Sequence, residues 1–253
     1  MNSLAASAAV FACVLAGAGL GVLVRRRLPS HHLCPESRDV VKLGLGLIAT
    51  LTALVLGLLI ATAKGTFDAQ NSAIKEFATK SILLDRALAL YGPDAAPARG
   101  VLHESLAHTT RRIWADDGGR PSAPDPGDAG HTLEGLYSRV ADLSPRTEAQ
   151  RALKARAVDV TTDLAHARLR IFAQQDGTMP VMFFVVLVCW LMLLFAGFGI
   201  LAPAHGTVAA VLGLCALSVA GAIFLTLELN TPFSGTILVS DAPLTDALGV
   251  VGT

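Results

Sequence analysis

The chain has 253 residues, 53% of them hydrophobic, a mean hydropathy of +0.55 and a formal net charge of zero. Soluble domains sit near or below zero in mean hydropathy, so an ordinary water-soluble globule is excluded. A balanced charge gives no electrostatic case for a nucleic-acid partner. The apolar residues come in blocks, and the blocks decide the class.

The first block, 4–24, ends in Arg25, Arg26 and Arg27. No positive charge precedes it, so it reads as a retained membrane anchor rather than a cleaved leader. The second block, 40–63, ends at Lys64. Each is about 20 residues or more, enough to cross a hydrocarbon core about 30 Å thick. Between them lies a basic loop, 25–39, whose sequence and edge hold Arg25, Arg26, Arg27, Arg38 and Lys42. The distribution of Lys and Arg in short loops places 25–39 in the cytoplasm and the middle of the chain on the extracytoplasmic side. Along the second block the small residues Gly46, Thr50, Ala53, Gly57 and Ala61 share one stripe. Small residues let helices approach closely in lipid, and a charge-free wall of Thr, Gly and backbone also suits a passive pore. Both readings, pore lining and helix packing, stay open for these five residues.

The second block continues past the lipid-soluble part as a charged helix with no breaker until Gly92 and Pro93. Phe67, Ile74, Phe77, Leu84, Leu88 and Tyr91 fall on one stripe, with Gln70 and Ser81 as polar interruptions. A helix over 39–92 would be about 80 Å long, with Gly65 as a candidate kink. A second leg is expected from Ser144 as N-cap and Pro145 at the first helical position. Its apolar stripe is Leu153, Ala157, Val160, Leu164, Ala167 and Ile171. Two such legs are expected to pair as an antiparallel coiled coil. Shorter helices are expected over about 99–115 and 131–143, with a Pro- and Gly-rich flexible loop, 116–130, between them.

Two more blocks, 179–202 and 207–227, are long enough to span a membrane. None of the four spans carries Asp, Glu, Lys, Arg or His at its centre. Ion-coupled pumps need such groups near the midplane, so a passive pore or no pore at all is implied. Glu228 closes the last span, where a helix C-terminus disfavours a carboxylate and so asks for a partner. In the tail, Ser240 or Asp241 is expected to cap a short helix that presents Leu244, Ala247 and Leu248 on one side.

The fold class that follows is all-α: a polytopic membrane protein with four transmembrane helices and a long helical-hairpin, coiled-coil insertion between spans two and three. Its parts are residues 1–63 (spans one and two with loop 25–39), 64–178 (an extramembrane helical domain with loop 116–130), 179–228 (spans three and four) and 229–253 (an interfacial tail). Candidate chemistry is sparse. His103 and His108 stand five apart, not the four that puts two zinc ligands on one helix face. Asp116 and Asp117 precede two glycines, but no third carboxylate follows at calcium-loop spacing. His31, His32 and Cys34 read as a solvated loop. Cys13, Cys189 and Cys215 read as small apolar packing residues in the spans. No catalytic residue, metal site or cofactor is expected, and the chain is not read as an enzyme.

The stretches "GLGLIATLTALVLGLLIATAKG" (44–65) followed by "FDAQ" (67–70), "LELNTPFSG" (227–235) and "APLTDAL" (242–248) resemble a bacterial membrane family called bestrophin-like. The family's tail motif falls here on Glu228, Pro232, Phe233, Ser234 and Gly235. The resemblance covers nearly the whole chain. It implies an analogy to bestrophins, which are oligomeric anion channels with the pore through the second span: a homo-oligomer in the bacterial inner membrane, with the lipid bilayer and inorganic anions as partners. It also implies a cytoplasmic middle domain, opposite to the charge-based orientation. The sequence departs from bestrophins in having no aromatic residue over 40–63 and no acidic calcium clasp. The alternative to a channel is a membrane sensor or scaffold whose helical extramembrane domain binds a partner.

Overall fold

A computed structural model describes residues 3–27, 35–114, 126–173, 181–201, 205–233 and 235–251. The described residues form eight α-helices and one 3-10 turn, without strands: α1 (Ser3–Arg27), α2 (Pro35–Tyr91), the turn Pro93–Ala95, α3 (Ala96–Ile113), α4 (Pro126–Ala141), α5 (Glu148–Ala173), α6 (Val181–Leu201), α7 (Gly206–Leu229) and α8 (Ala242–Val250). They divide into two compact units. One comprises Met1–Gly65 with Thr178–Asn230, the other Thr66–Gly177 with Thr231–Thr253. Helix α2 contributes to both and runs through Gly65 without interruption.

The first unit is built from α1, the first part of α2, α6 and α7. All four are long and apolar enough to cross a membrane. Their shared core joins Val10 and Val14 of α1, Leu187, Leu191 and Phe195 of α6, and Ala216 and Ile223 of α7, with Leu45, Ile48, Val55, Leu56 and Leu59 of α2 against it. In lipid, dispersion rather than water exclusion holds such helices, so close approach matters most. It is closest between α1 and α6. A Cβ on Gly21 would lie 2.0 Å from the Ala196 carbonyl oxygen, and one on Gly199 would lie 2.3 Å from that of Ala18. Outward faces carry Leu43, Leu47, Leu54, Leu58, Met182 and Leu214, all largely exposed, a surface that water would not tolerate and lipid would. Buried hydroxyls are satisfied within their own helices: Thr52 donates to the Ile48 carbonyl at 2.7 Å and Thr226 to that of Ala222 at 2.7 Å,. Cys13, Cys189 and Cys215 are free and exposed, not packed inside the unit as expected from sequence. Cys34 lies outside the described residues.

The second unit has its own core, in which Ile74, Phe77, Leu84 and Leu88 of α2 meet Leu102, Leu106 and Ile113 of α3, Leu136 and Val140 of α4, and Leu164 and Ile171 of α5. The expected α2 stripe is buried from Ile74 to Tyr91, with Phe67 half-buried at its start, and its polar interruptions Gln70 and Ser81 are buried too. Ser81 is satisfied by donating to the Phe77 carbonyl at 2.9 Å. Helices α2 and α5 run antiparallel here. Arg170 meets Glu76 at 3.2 Å, Lys80 meets Asp163 at 2.5 Å, and the Gln150 side chain donates from Nε2 to the Tyr91 carbonyl at 3.1 Å. Pairing numbers that fall on one helix as they rise on the other define that sense.

Helix ends explain two departures from expectation. The cap of α5 is Thr147, not Ser144: its hydroxyl accepts the Gln150 amide at 3.1 Å, and the Gln150 side chain accepts the Arg146 amide at 2.8 Å. This reciprocal pattern resembles a capping box, which Ser144 followed by Thr147 cannot supply. Helix α4 starts at Pro126, a favoured first-turn proline, so 126–130 is helical, not part of a loop reaching to 130. Residues 116–125 of that loop lie outside the described residues. Lys154 closes α4 by donating to the Ala141 and Leu143 carbonyls at 2.6 and 2.9 Å,. Gly92 ends α2 with φ 117° and ψ −173°, a conformation reserved for glycine.

Candidate functional site

Gly46, Thr50, Ala53, Gly57 and Ala61 are all exposed on one face of α2, while Leu45, Ile48, Leu56 and Leu59 on the other face pack into the first unit. A Cβ added to Gly46 or Gly57 would meet nothing within 4 Å. The Thr50 hydroxyl donates to the Gly46 carbonyl at 2.8 Å, leaving an oxygen lone pair outward,. No charged residue occurs over 43–63. The face can therefore offer a neutral wall to whatever lies against it.

The tail motif is divided between the two units. In the first, Glu228 is buried and its Oε1 accepts the hydroxyl of Ser3. Glu228 ends α7, yet it lies beside the first turn of α1, whose unpaired N–H groups favour a negative charge. One partner of Glu228 is thus a serine at a helix start. In the second unit, Phe233 is buried and meets the Trp114 ring edge-on at 6.0 Å. Trp114 also donates from Nε1 to the Val239 carbonyl at 3.3 Å, and the Pro232 carbonyl accepts the Val239 amide at 2.9 Å. Gly235 lies in the bend that follows, half-buried, and Ser234 lies outside the described residues. These contacts hold the tail on α3. Leu244 and Ala247 of α8 are fully buried there, and Leu248 packs beside them. No side-chain cap bond is made at Asp241, while the Ser240 hydroxyl accepts the Ala242 amide at 3.2 Å.

The second unit carries two charge constellations. Arg99 grips the buried carboxylate of Asp85 with two bonds, Nε at 2.8 Å and Nη2 at 3.0 Å. That bidentate bond holds the Arg99 pKa above its usual value despite partial burial,. On the surface, a groove of about 490 Å³ between α2 and α5 is lined by Lys75, Lys80 and Arg156 against Glu76, Asp159 and Asp163. The Lys80 hydrogen bond, then its charge, hold the Asp163 carboxyl below the usual range,. Three cations face three carboxylates, so the groove has no net attraction for an anion. His103 is exposed and His108 half-buried on α3, and no group of three or more His, Cys, Asp and Glu suited to a metal occurs among the described residues.

Sequence reading overlooked the tightest contact. The run Gly17, Ala18, Gly21 in α1 carries the same small-residue spacing as the α2 stripe, and it is the one buried against a neighbouring backbone. Spacing alone does not say which of two small-residue faces finds a partner. The Asp85–Arg99 pair was also missed, because two charges fourteen positions apart on different helices leave no periodic trace.

Four membrane-length apolar helices, with a separate helical unit contributed by residues 66–177 and the tail, define an all-helical membrane protein. The sequence matches the Bestrophin-like domain over residues 11–244, and the chain belongs to that family. No curated protein matches it. Among solved structures, a bacterial bestrophin homolog from Klebsiella pneumoniae carrying a point mutation is similar, with 13% sequence identity, 96% of this chain and 97% of that chain covered, and a TM-score of 0.63. At that identity the likeness is one of fold.

Proposed function

We propose that the protein is a homo-oligomeric passive channel of the bacterial inner membrane, conducting inorganic anions, with α2 nearest the axis. The observation that carries this reading is the outward, charge-free α2 face of Gly46, Thr50, Ala53, Gly57 and Ala61, whose opposite face is packed on the unit. Membership of the Bestrophin-like family and the fold likeness to a bacterial bestrophin homolog support it. Absence of intramembrane ionisable groups suits passive conduction rather than ion coupling. Purified protein in liposomes then gives salt-gradient-dependent anion flux, and Gly57→Leu lowers it. Vesicles that stay tight despite verified incorporation overturn the reading.

A second reading is a sensor or scaffold, favoured by the independent core of the second unit and by the single helix α2 that contributes to both units. Coiled-coil packing of α2 and α5 belongs to this reading too. A specific partner recovered on the full chain, and lost on deleting 93–143 with insertion intact, would establish it. In either case the four-span threading puts Arg27 and Asp94 on opposite sides of the membrane. In a chain whose four cysteines are replaced by alanine, Arg27→Cys and Asp94→Cys are expected to label from opposite faces. The charge distribution favours Arg27 on the cytoplasmic one.

A further inference from the structure

We infer that the C-terminal end of α1 is a binding site for an anionic phospholipid, with Arg27 holding the headgroup phosphate and Leu20, Leu23 and Val24 carrying an acyl chain. Residues 20, 23, 24 and 27 are spaced by three, four and seven positions, so they fall within an arc of about 100° on the helix. All four are exposed. The result is an outward apolar strip about one helical turn long that is crowned by a guanidinium, matching a lipid's own order of tail and phosphate.

Three observations favour an anionic lipid over a merely solvated helix end. Arg26 and Arg27 are exposed, and neither makes a hydrogen bond or ion pair among the described residues, whereas Arg25 is half-buried and engaged. Local charge is unbalanced: residues 20–45 hold Arg25, Arg26, Arg27, Arg38 and Lys42 against only Glu36 and Asp39. Asp39 is already taken by Lys42 at 2.9 Å. Finally, an unpaired guanidinium at the end of a membrane-length helix sits at headgroup depth, where its planar fork suits a phosphate. Complementing the C-terminal carbonyls of α1 would account for one cation in the last turn, and three are present.

The proposal rests on α1 spanning the membrane and not on conduction, so tight vesicles in the flux experiment leave it standing. Full-length protein, purified monodisperse in detergent, is reconstituted into nanodiscs of phosphatidylcholine with a minor share of phosphatidylglycerol. Lipids retained on re-extraction are counted by native mass spectrometry. Enrichment of phosphatidylglycerol is expected, falling by at least about fivefold in Arg27→Gln, since one cation near an anionic surface is worth about that factor. Arg27→Lys retains most of the charge effect. The pair Leu20→Ser with Leu23→Ser weakens retention with all arginines in place. Equal retention by wild type and Arg27→Gln overturns the site. So does displacement of the lipid by excess inorganic phosphate, which would make it a free-anion site, and so does indifference to the serine pair.

Discussion

Ser3, in the first turn of α1, donates its hydroxyl to the buried carboxylate of Glu228 in the last turn of α7. The first helix therefore begins where the last apolar helix ends, as an even number of crossings requires. A hydrogen bond to a charged acceptor contributes about 1.5–3 kcal/mol. Ser3→Ala is expected to lower the stability of the detergent-solubilised protein by about 1–2 kcal/mol on that scale, read as a drop in thermal midpoint. Ser3→Thr, which keeps the hydroxyl, should recover most of it. An unchanged midpoint in Ser3→Ala would show that the contact is incidental.

Gly21 tests what holds the first unit together. Any side chain there collides with the Ala196 carbonyl, a backbone atom that cannot rotate away. Gly21→Leu is expected to push α1 from α6 and cost at least about 1–3 kcal/mol, the usual range for overpacking. Gly19→Leu is the control, because a Cβ at Gly19 meets nothing within 4 Å. Thermal aggregation of both variants in one detergent makes the comparison. Equal behaviour would contradict the packing.

Asp85 and Arg99 tie α2 to α3 inside the second unit. Removing one partner of a buried pair typically costs about 3–5 kcal/mol. Arg99 is partly exposed, so Arg99→Ala is expected near the lower end, about 3 kcal/mol. Arg99→Lys keeps the charge and loses the fork, and should fall between the two. Urea unfolding followed by Trp114 fluorescence, with the other tryptophan, Trp190, replaced by Phe, reads this unit through the residue that holds the tail.

Lys80 and Asp163 make a pH prediction. Lys80 depresses the Asp163 pKa in the folded state. The folded form thus releases that proton more readily than the unfolded chain, whose carboxyl titrates near 3.9. The stabilisation is present above that value and disappears as pH falls through the folded one. Asp163→Asn should therefore lower the neutral plateau of a midpoint-against-pH curve slightly and leave its acid end nearly unchanged, which flattens the acid limb,. The Asp163 side chain is exposed to solvent, so the difference should shrink in high salt,. A pH profile identical to wild type at low salt would exclude any coupling.

Some of this architecture could be read in advance because lipid imposes it. Residues 4–24, 40–63, 179–202 and 207–227 had to be apolar to cross a bilayer, and length with hydropathy is enough to find them. The α2 stripe from Ile74 to Tyr91 was equally legible, since a helix half in water must sort its faces, and Gly92 announced the end of that helix through a conformation no other residue adopts without strain. Helix starts were less legible: Ser144 and Thr147 are both plausible caps, and only the Gln150 side chain, by accepting the Arg146 amide, decides for Thr147. The tertiary structure alone paired Ser3 with Glu228 and Asp85 with Arg99, chose Gly21 over Gly57 as the residue pressed against a neighbouring backbone, and turned Cys13, Cys189 and Cys215 outward. The physical reason is common to all of these. Solvent and lipid act on each residue through its own chain position, whereas a contact needs a partner, and partners are assigned by how the helices come together in space.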